Sequence, residues 1–258
     1  MAGLLLIKIK PNKHMKTLTK TILVVFLFSI TVQQGIAQNW KNSKVKGNGN
    51  VTTKTVSTDD YDNIHVTGSM DVTLISGTEG SITVTTDENI HEHLEIVTNG
   101  NTLTISVKKG HSISTKKGID VTVPFQDLSE VELVGSGDIT ATATIKAKGF
   151  ETSLTGSGDI ILDVESSSLD AKITGSGDMK LNGKADDFEL KLSGSGDFDG
   201  RSFKTDNAEV YVSGSGDAII SVKESIKARV HGSGDISYKG NPSKSDTKVL
   251  GSGSIKSM

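Results

Sequence analysis

Cysteine is absent from the chain, which excludes disulfide staples, thiolate metal sites and a cysteine nucleophile. Arginine is nearly absent: Arg201 and Arg229 are the only two, so no basic stripe is available for nucleic acid or anionic lipid. Aromatic residues are 4% and hydrophobic residues 34% of the 258 positions, too few for thick helical packing around a deep core. A narrow core is implied, and stability has to come from repetition. Three prolines against 28 glycines suit many short strands joined by tight corners.

What is present begins with an export pattern. Lys16 and Lys20 precede an apolar run from Ile22 to Val32, and Gly35-Ile36-Ala37 places small residues ahead of a cut between Ala37 and Gln38. Residues 1–37 therefore read as a signal peptide, with Met15 as an alternative start. The 11-residue apolar run falls short of the roughly 20 residues a spanning helix needs, so no membrane span is expected after cleavage. Processing leaves 23 basic against 31 acidic side chains, a formal charge of −8, because five lysines depart and no acidic residue does. The product is expected to be exported to the periplasm, the outer surface or the extracellular space, and its charge repels nucleic acid.

Residues 38–50 are polar and aperiodic and read as a flexible leader, with Trp40 resting on the first coil or serving as a binding residue. From 51 to 129 the chain alternates in short runs such as Met70-Asp71-Val72-Thr73-Leu74-Ile75 and Leu103-Thr104-Ile105-Ser106-Val107. Period-2 patterning of this kind, broken by Ser76-Gly77, Asn99-Gly100-Asn101 and Lys109-Gly110, predicts strands and turns. Asp87 to His93 is expected to form one helical turn capped by Asp87, with His91-Glu92-His93 as an exposed turn lacking a third metal ligand nearby in sequence.

Residues 130–258 carry a repeat. Gly-Ser-Gly-Asp begins at Gly135, Gly156, Gly175, Gly194, Gly214 and Gly232, and Gly251 opens a last copy ending in Ser254. The steps of 21, 19, 19, 20, 18 and 19 residues are those of a stacked architecture. Two residues before the first glycine stand Leu133, Leu154, Ile173, Leu192, Val212, Val230 and Val249, and four after it Ile139, Ile160, Met179, Phe198, Ala218, Ile236 and Ile255. Alternation turns these columns inward, together with both glycines, and turns Ser and Asp outward. The expectation is an all-β parallel β-helix of about 18–21 residues per coil, in which glycine at the bend spares a Cβ from the opposite wall. Thr67-Gly68-Ser69-Met70-Asp71 resembles a degenerate copy, so residues 51–129 are expected to be the irregular start of the same solenoid.

The Gly-Ser-Gly-Asp run, Val121-Thr122-Val123-Pro124 leading into Val131-Glu132-Leu133-Val134-Gly135, and the signal pattern together resemble the head GIN domain family, the autotransporter adhesins by name. The resemblance covers about Tyr61 to Ile255. It implies a right-handed parallel β-helix exported to the envelope or surface of a Gram-negative bacterium. It brings no catalytic residues and no settled ligand.

Stacking would place Asp138, Asp159, Asp178, Asp197, Asp217 and Asp235 about 4.8 Å apart, where two unit charges repel by about 0.9 kcal/mol even in bulk water. Either backbone N–H groups offset that repulsion, or a calcium ladder does, although one carboxylate per coil is a poor donor set for that ion. Equivalent exposed carboxylates also lack the two contrasting environments a catalytic pair needs, so no enzyme is expected. The expected function is a secreted binding protein that presents Ser157, Asp159, Ser176, Asp178, Ser195, Asp197, Ser215 and Asp217 to glycans or other cell-surface components. The alternatives are a purely structural envelope protein, a calcium-stabilised solenoid, or a polysaccharide-acting β-helix enzyme. The last coil offers an edge for end-to-end self-association.

Overall fold

The computed structural model describes residues 43–258. The signal segment 1–37, the alternative start Met15 and Trp40 lie outside the described residues. Within them the chain winds into a β-solenoid of about 7 turns. Nine strands precede the regular repeat: β1 (Ser43–Lys46), β2 (Val51–Ser57), β3 (Asn63–Gly68), β4 (Asp71–Ser76), β5 (Ser81–Asp87), β6 (Leu94–Asn99), β7 (Thr102–Val107), β8 (His111–Ser114) and β9 (Asp120–Phe125). Then come β10 (Glu130–Gly135), β11 (Ile139–Ala141), β12 (Ile145–Gly156), β13 (Ile160–Gly175), β14 (Met179–Gly194), β15 (Phe198–Gly214), β16 (Ala218–Gly232), β17 (Ile236–Lys239), β18 (Lys244–Gly251) and β19 (Ile255–Ser257).

The repeats stack in parallel and in register, Gly135 on Gly156, Gly175, Gly194, Gly214, Gly232 and Gly251. The aliphatic column two residues before the glycine stays at 2% exposure or less from Leu133 to Val230, and opens only at Val249, 37% exposed in the last coil. Apolar side chains in such columns lose contact with water on both sides, each contributing about 1.5–3 kcal/mol when fully buried. Unequal coil lengths are absorbed away from the motif. The register shifts between Gly200 and Lys204, and Phe203 of that bulge packs inward against Phe188, ring centroids 5.2 Å apart.

The two glycines are required by the coil beneath, not by the opposite wall. A Cβ on Gly156 or on Gly158 would lie closer than 3.0 Å to the carbonyl oxygen of Gly135 or Gly137, one coil earlier. Gly156 also sits at φ +136°, a conformation that L side chains rarely adopt. The close approach has a purpose: the Gly135 carbonyl accepts the N–H of Ser157 at 2.9 Å and of Gly158 at 3.3 Å, and the pattern recurs up the stack.

The degenerate copy takes its place in the same column, since Gly68 pairs with Gly135. Met70 can replace the second glycine because the next rung out, β7 with β9, lacks the motif bend, and its side chain is fully buried. The N-terminal part is nevertheless not a simple sequential start. The coil of β3 and β4 lies between β7 and β9 on one side and β10 and β11 on the other. Outside them, β5 and β6 pair antiparallel with β9 and β7, and β2 pairs antiparallel with β5. A hairpin layer therefore covers that end of the parallel stack.

Two further expectations change. The segment read as a flexible leader includes β1, which pairs in parallel with β8. Asp87 ends a strand instead of capping a helix, and the following 3-10 turn, His91–His93, has no side-chain cap. The buried Asp87 carboxylate accepts the Gly49 N–H at 2.6 Å and the Thr115 hydroxyl at 2.5 Å, fastening the segment after β1 to the loop before β9.

Gly158→Ala is expected to cost about 3 kcal/mol or more, since backbone must move to admit the methyl. Ser157→Ala beside it should stay within about 0.5 kcal/mol. Urea unfolding midpoints of the two variants provide the comparison.

Candidate ligand-binding face

Ser157, Ser176, Ser195 and Ser215 are exposed, as are Asp138, Asp159, Asp178, Asp197 and Asp217, whereas the second glycine between each pair is buried. The outward display expected from alternation is thus present along one face. The Asp residues form a ladder. Asp138 Oδ1 accepts the backbone N–H of Asp159 at 2.9 Å, Asp159 that of Asp178 at 3.0 Å, and Asp178 that of Asp197 at 2.8 Å. Asp217 and Asp235 continue the pattern, and the last carboxylate receives both the N–H and the hydroxyl of Ser254. Between successive negative charges there is therefore an N–H dipole pointing at the earlier one. This is the hydrogen-bonded alternative to a calcium ladder, with the donor supplied by the next coil and not by the same bend. One oxygen of each carboxylate is committed to it.

The ladder's ends differ chemically. Hydrogen bonds from Ser254 hold the Asp235 carboxyl below its ordinary pKa. At the other end Asp71 extends the column. The residue is exposed, and partial desolvation of its carboxyl raises the pKa; the Asp138 backbone N–H opposes that shift, and the neighbouring carboxylates Asp138 and Asp120 add to it.

Beside Asp159, Asp178 and Asp197 runs a shallow groove of about 290 Å³, lined also by Ile161, Lys180, Asp199 and Arg201. Ile161 is 40% exposed. Arg201 grips Asp199 through Nε and Nη2, both at 2.9 Å, and the guanidinium holds that carboxyl below the usual range. Ile161, Lys180 and Arg201 were not singled out by the repeat, because they sit where its columns vary. Their signal is position: Ile161 and Lys180 stand two residues after the motif Asp, on its side of the sheet.

The histidines separate. His91 Nε2 faces the Thr52 carbonyl at 3.1 Å, while His93 lies against His111 with ring centroids 4.7 Å apart. Among the described residues, the one grouping of three His or carboxylate side chains close enough to share a cation is His65, Glu130 and Glu132.

Residues 60–242 match the family model described as "Putative auto-transporter adhesin, head GIN domain". The chain belongs to the head GIN domain family. Solved structures share the fold: a "putative adhesin" from Bacteroides fragilis (23% identity, TM-score 0.77, 83% of this chain and 100% of that one); a "putative lipid binding protein" from Parabacteroides distasonis (27%, 0.70, 83% and 99%); and a "putative adhesin" from Parabacteroides merdae (24%, 0.66, 83% and 99%). No curated protein matches the sequence. The family is an adhesin-type one, which points to a surface or exported protein. Among the described residues no helix is long and apolar enough to cross a membrane.

Two substitutions separate the ladder's contributions. Asp178→Asn keeps the acceptor and should be nearly neutral, whereas Asp178→Ala orphans the Asp197 N–H and should cost about 1 kcal/mol. A carboxyl whose folded pKa is raised opposes folding above its unfolded value, so Asp71→Asn should raise the urea midpoint at pH 7. That gain should fade as pH falls through the folded pKa of Asp71, whose protonated wild-type form carries no penalty.

Proposed function

We propose that this head GIN protein is an exported, non-enzymatic binding module whose Ser/Thr/Asp face holds neutral glycan chains. The observation that carries the reading is the shallow groove that three evenly spaced carboxylates, Asp159, Asp178 and Asp197, line together with Lys180, Arg201 and the exposed Ile161. Each carboxylate is oriented by its ladder bond and keeps a second oxygen for a ligand hydroxyl. Ser157, Ser176 and Ser195 lie two residues before these aspartates and add hydroxyls at the same rise of about 4.8 Å per coil. A polymer of sugar units can engage several rungs at once, so weak single contacts add up through multiplicity. The formal charge of −8 after signal removal disfavours acidic polymers and anionic membranes. The lipid-binding description of one relative makes a lipid surface the competing ligand.

The test is a glycan array together with flotation on neutral and anionic vesicles, comparing wild type with a variant in which Ser157, Ser176 and Ser195 become Ala and Asp159, Asp178 and Asp197 become Asn. Asn preserves the ladder acceptor, so the variant stays folded. Wild-type binding to neutral glycans that weakens at least about tenfold in the variant supports the proposal. Binding to vesicles alone, or glycan binding that the variant retains, overturns it.

A further inference from the structure

We propose that His65, Glu130 and Glu132 form a site for a zinc-class divalent cation that clips the solenoid across a seam where two stacked coils are not consecutive in the chain. The three residues stand on the outer face of two neighbouring parallel strands. His65 on β3 lies directly opposite Glu132 on β10, and Asn63 opposite Glu130, which puts the imidazole diagonal to the second carboxylate. One ligand atom from each residue can be chosen so that all lie within 4.8 Å of one another. His65 Nε2 is 3.3 Å from Glu130 Oε1, and Nδ1 is 3.6 Å from Glu132 Oε2.

The state of the imidazole points the same way. The His65 side chain is one third exposed, but its Nε2 atom is shut off from solvent and meets Glu130 Oε1 at 3.3 Å without hydrogen-bond geometry. A buried polar atom in that position is costly unless something satisfies it. The 3.3 Å separation fits the edge of a zinc tetrahedron with metal–ligand bonds of about 2.0–2.2 Å. Each of the three side chains is about one third exposed, at 33% and 34%, which leaves the remaining coordination position to water. Glu151 pairs with Glu130 on the next strand, so a third carboxylate stands beside the pair and favours a cation there. One nitrogen with two carboxylate oxygens matches zinc and its neighbours in the first transition row, not calcium, which takes six to eight oxygens.

The location gives the ion a role. β3 and β10 are joined by hydrogen bonds but separated in the chain by the whole excursion through β4 to β9. A cation shared between them would close that long loop, which is where a clip gains most in principle. It would lock the hairpin-covered N-terminal coils to the regular stack.

Calorimetric titration of the full chain with zinc chloride, and in parallel with calcium chloride, tests the site alongside thermal unfolding. The expected result is one zinc per chain and a midpoint rise of about 5–10 °C when free zinc is about 100 times Kd, with no response to calcium. Affinity should fall at least about tenfold in His65→Ala and in Glu132→Gln, and should survive in His93→Ala/His111→Ala, which removes the other imidazole pair. Glu132→Gln is nearly isosteric, so it decides the matter if His65→Ala fails to fold. Absence of saturable zinc binding, binding unchanged in Glu132→Gln, or binding lost in the His93/His111 variant overturns the proposal. Glycan binding is read separately and need not change.

Discussion

The structure depends on one backbone contact repeated up the stack. The carbonyl of the first motif glycine receives two N–H groups from the next coil, and that contact is possible only where neither glycine carries a Cβ. Each such hydrogen bond is worth about 0.5–1.5 kcal/mol net, but its larger effect is on register. With the bends nested, every coil must begin its strand at the same height, whatever its length elsewhere. The aliphatic columns, the Asp ladder and the spacing of the exposed serines all follow from that alignment.

The same contact explains where the pattern breaks. Met70 is tolerated because no motif bend lies beneath it, and Ser254 still donates to Asp235 as the last rung. At the N-terminal end the parallel edges are covered by the antiparallel strands β5 and β6, a common protection for sheet edges. Charge repulsion along the Asp column is offset by backbone dipoles already present in the stack, so the ladder needs no ion to exist. The groove beside it, where Lys180 and Arg201 join the carboxylates, gives the face its chemical character.

Much of this was legible in the chain. The inward columns through Leu133, Leu154 and Ile173 and through Ile139 and Ile160 are buried as the alternation implies, and the outward Ser and Asp positions of the repeat are displayed. Gly68-Ser69-Met70-Asp71 was recognisable as a worn copy. Other features were misread for physical reasons. The glycines appeared to answer to the opposite wall, since a single coil seen alone has no neighbour beneath it. Asp87 resembled a helix cap because Asp before a short turn commonly plays that part, whereas its true partners, Gly49 and Thr115, lie 38 and 28 residues away.

By itself the sequence determined the repeat length, the inward and outward faces, and the all-β class, because these rest on local periodicity and on the few residue types that suit a tight bend. The tertiary structure alone decided the order in which the N-terminal rungs stack, the antiparallel cover at that end, and the meeting of His65 with Glu130 and Glu132. Strand periodicity says which way a side chain points but not which strand will lie alongside. That choice belongs to the packing of the whole stack, and with it the chemistry of any site built across two coils.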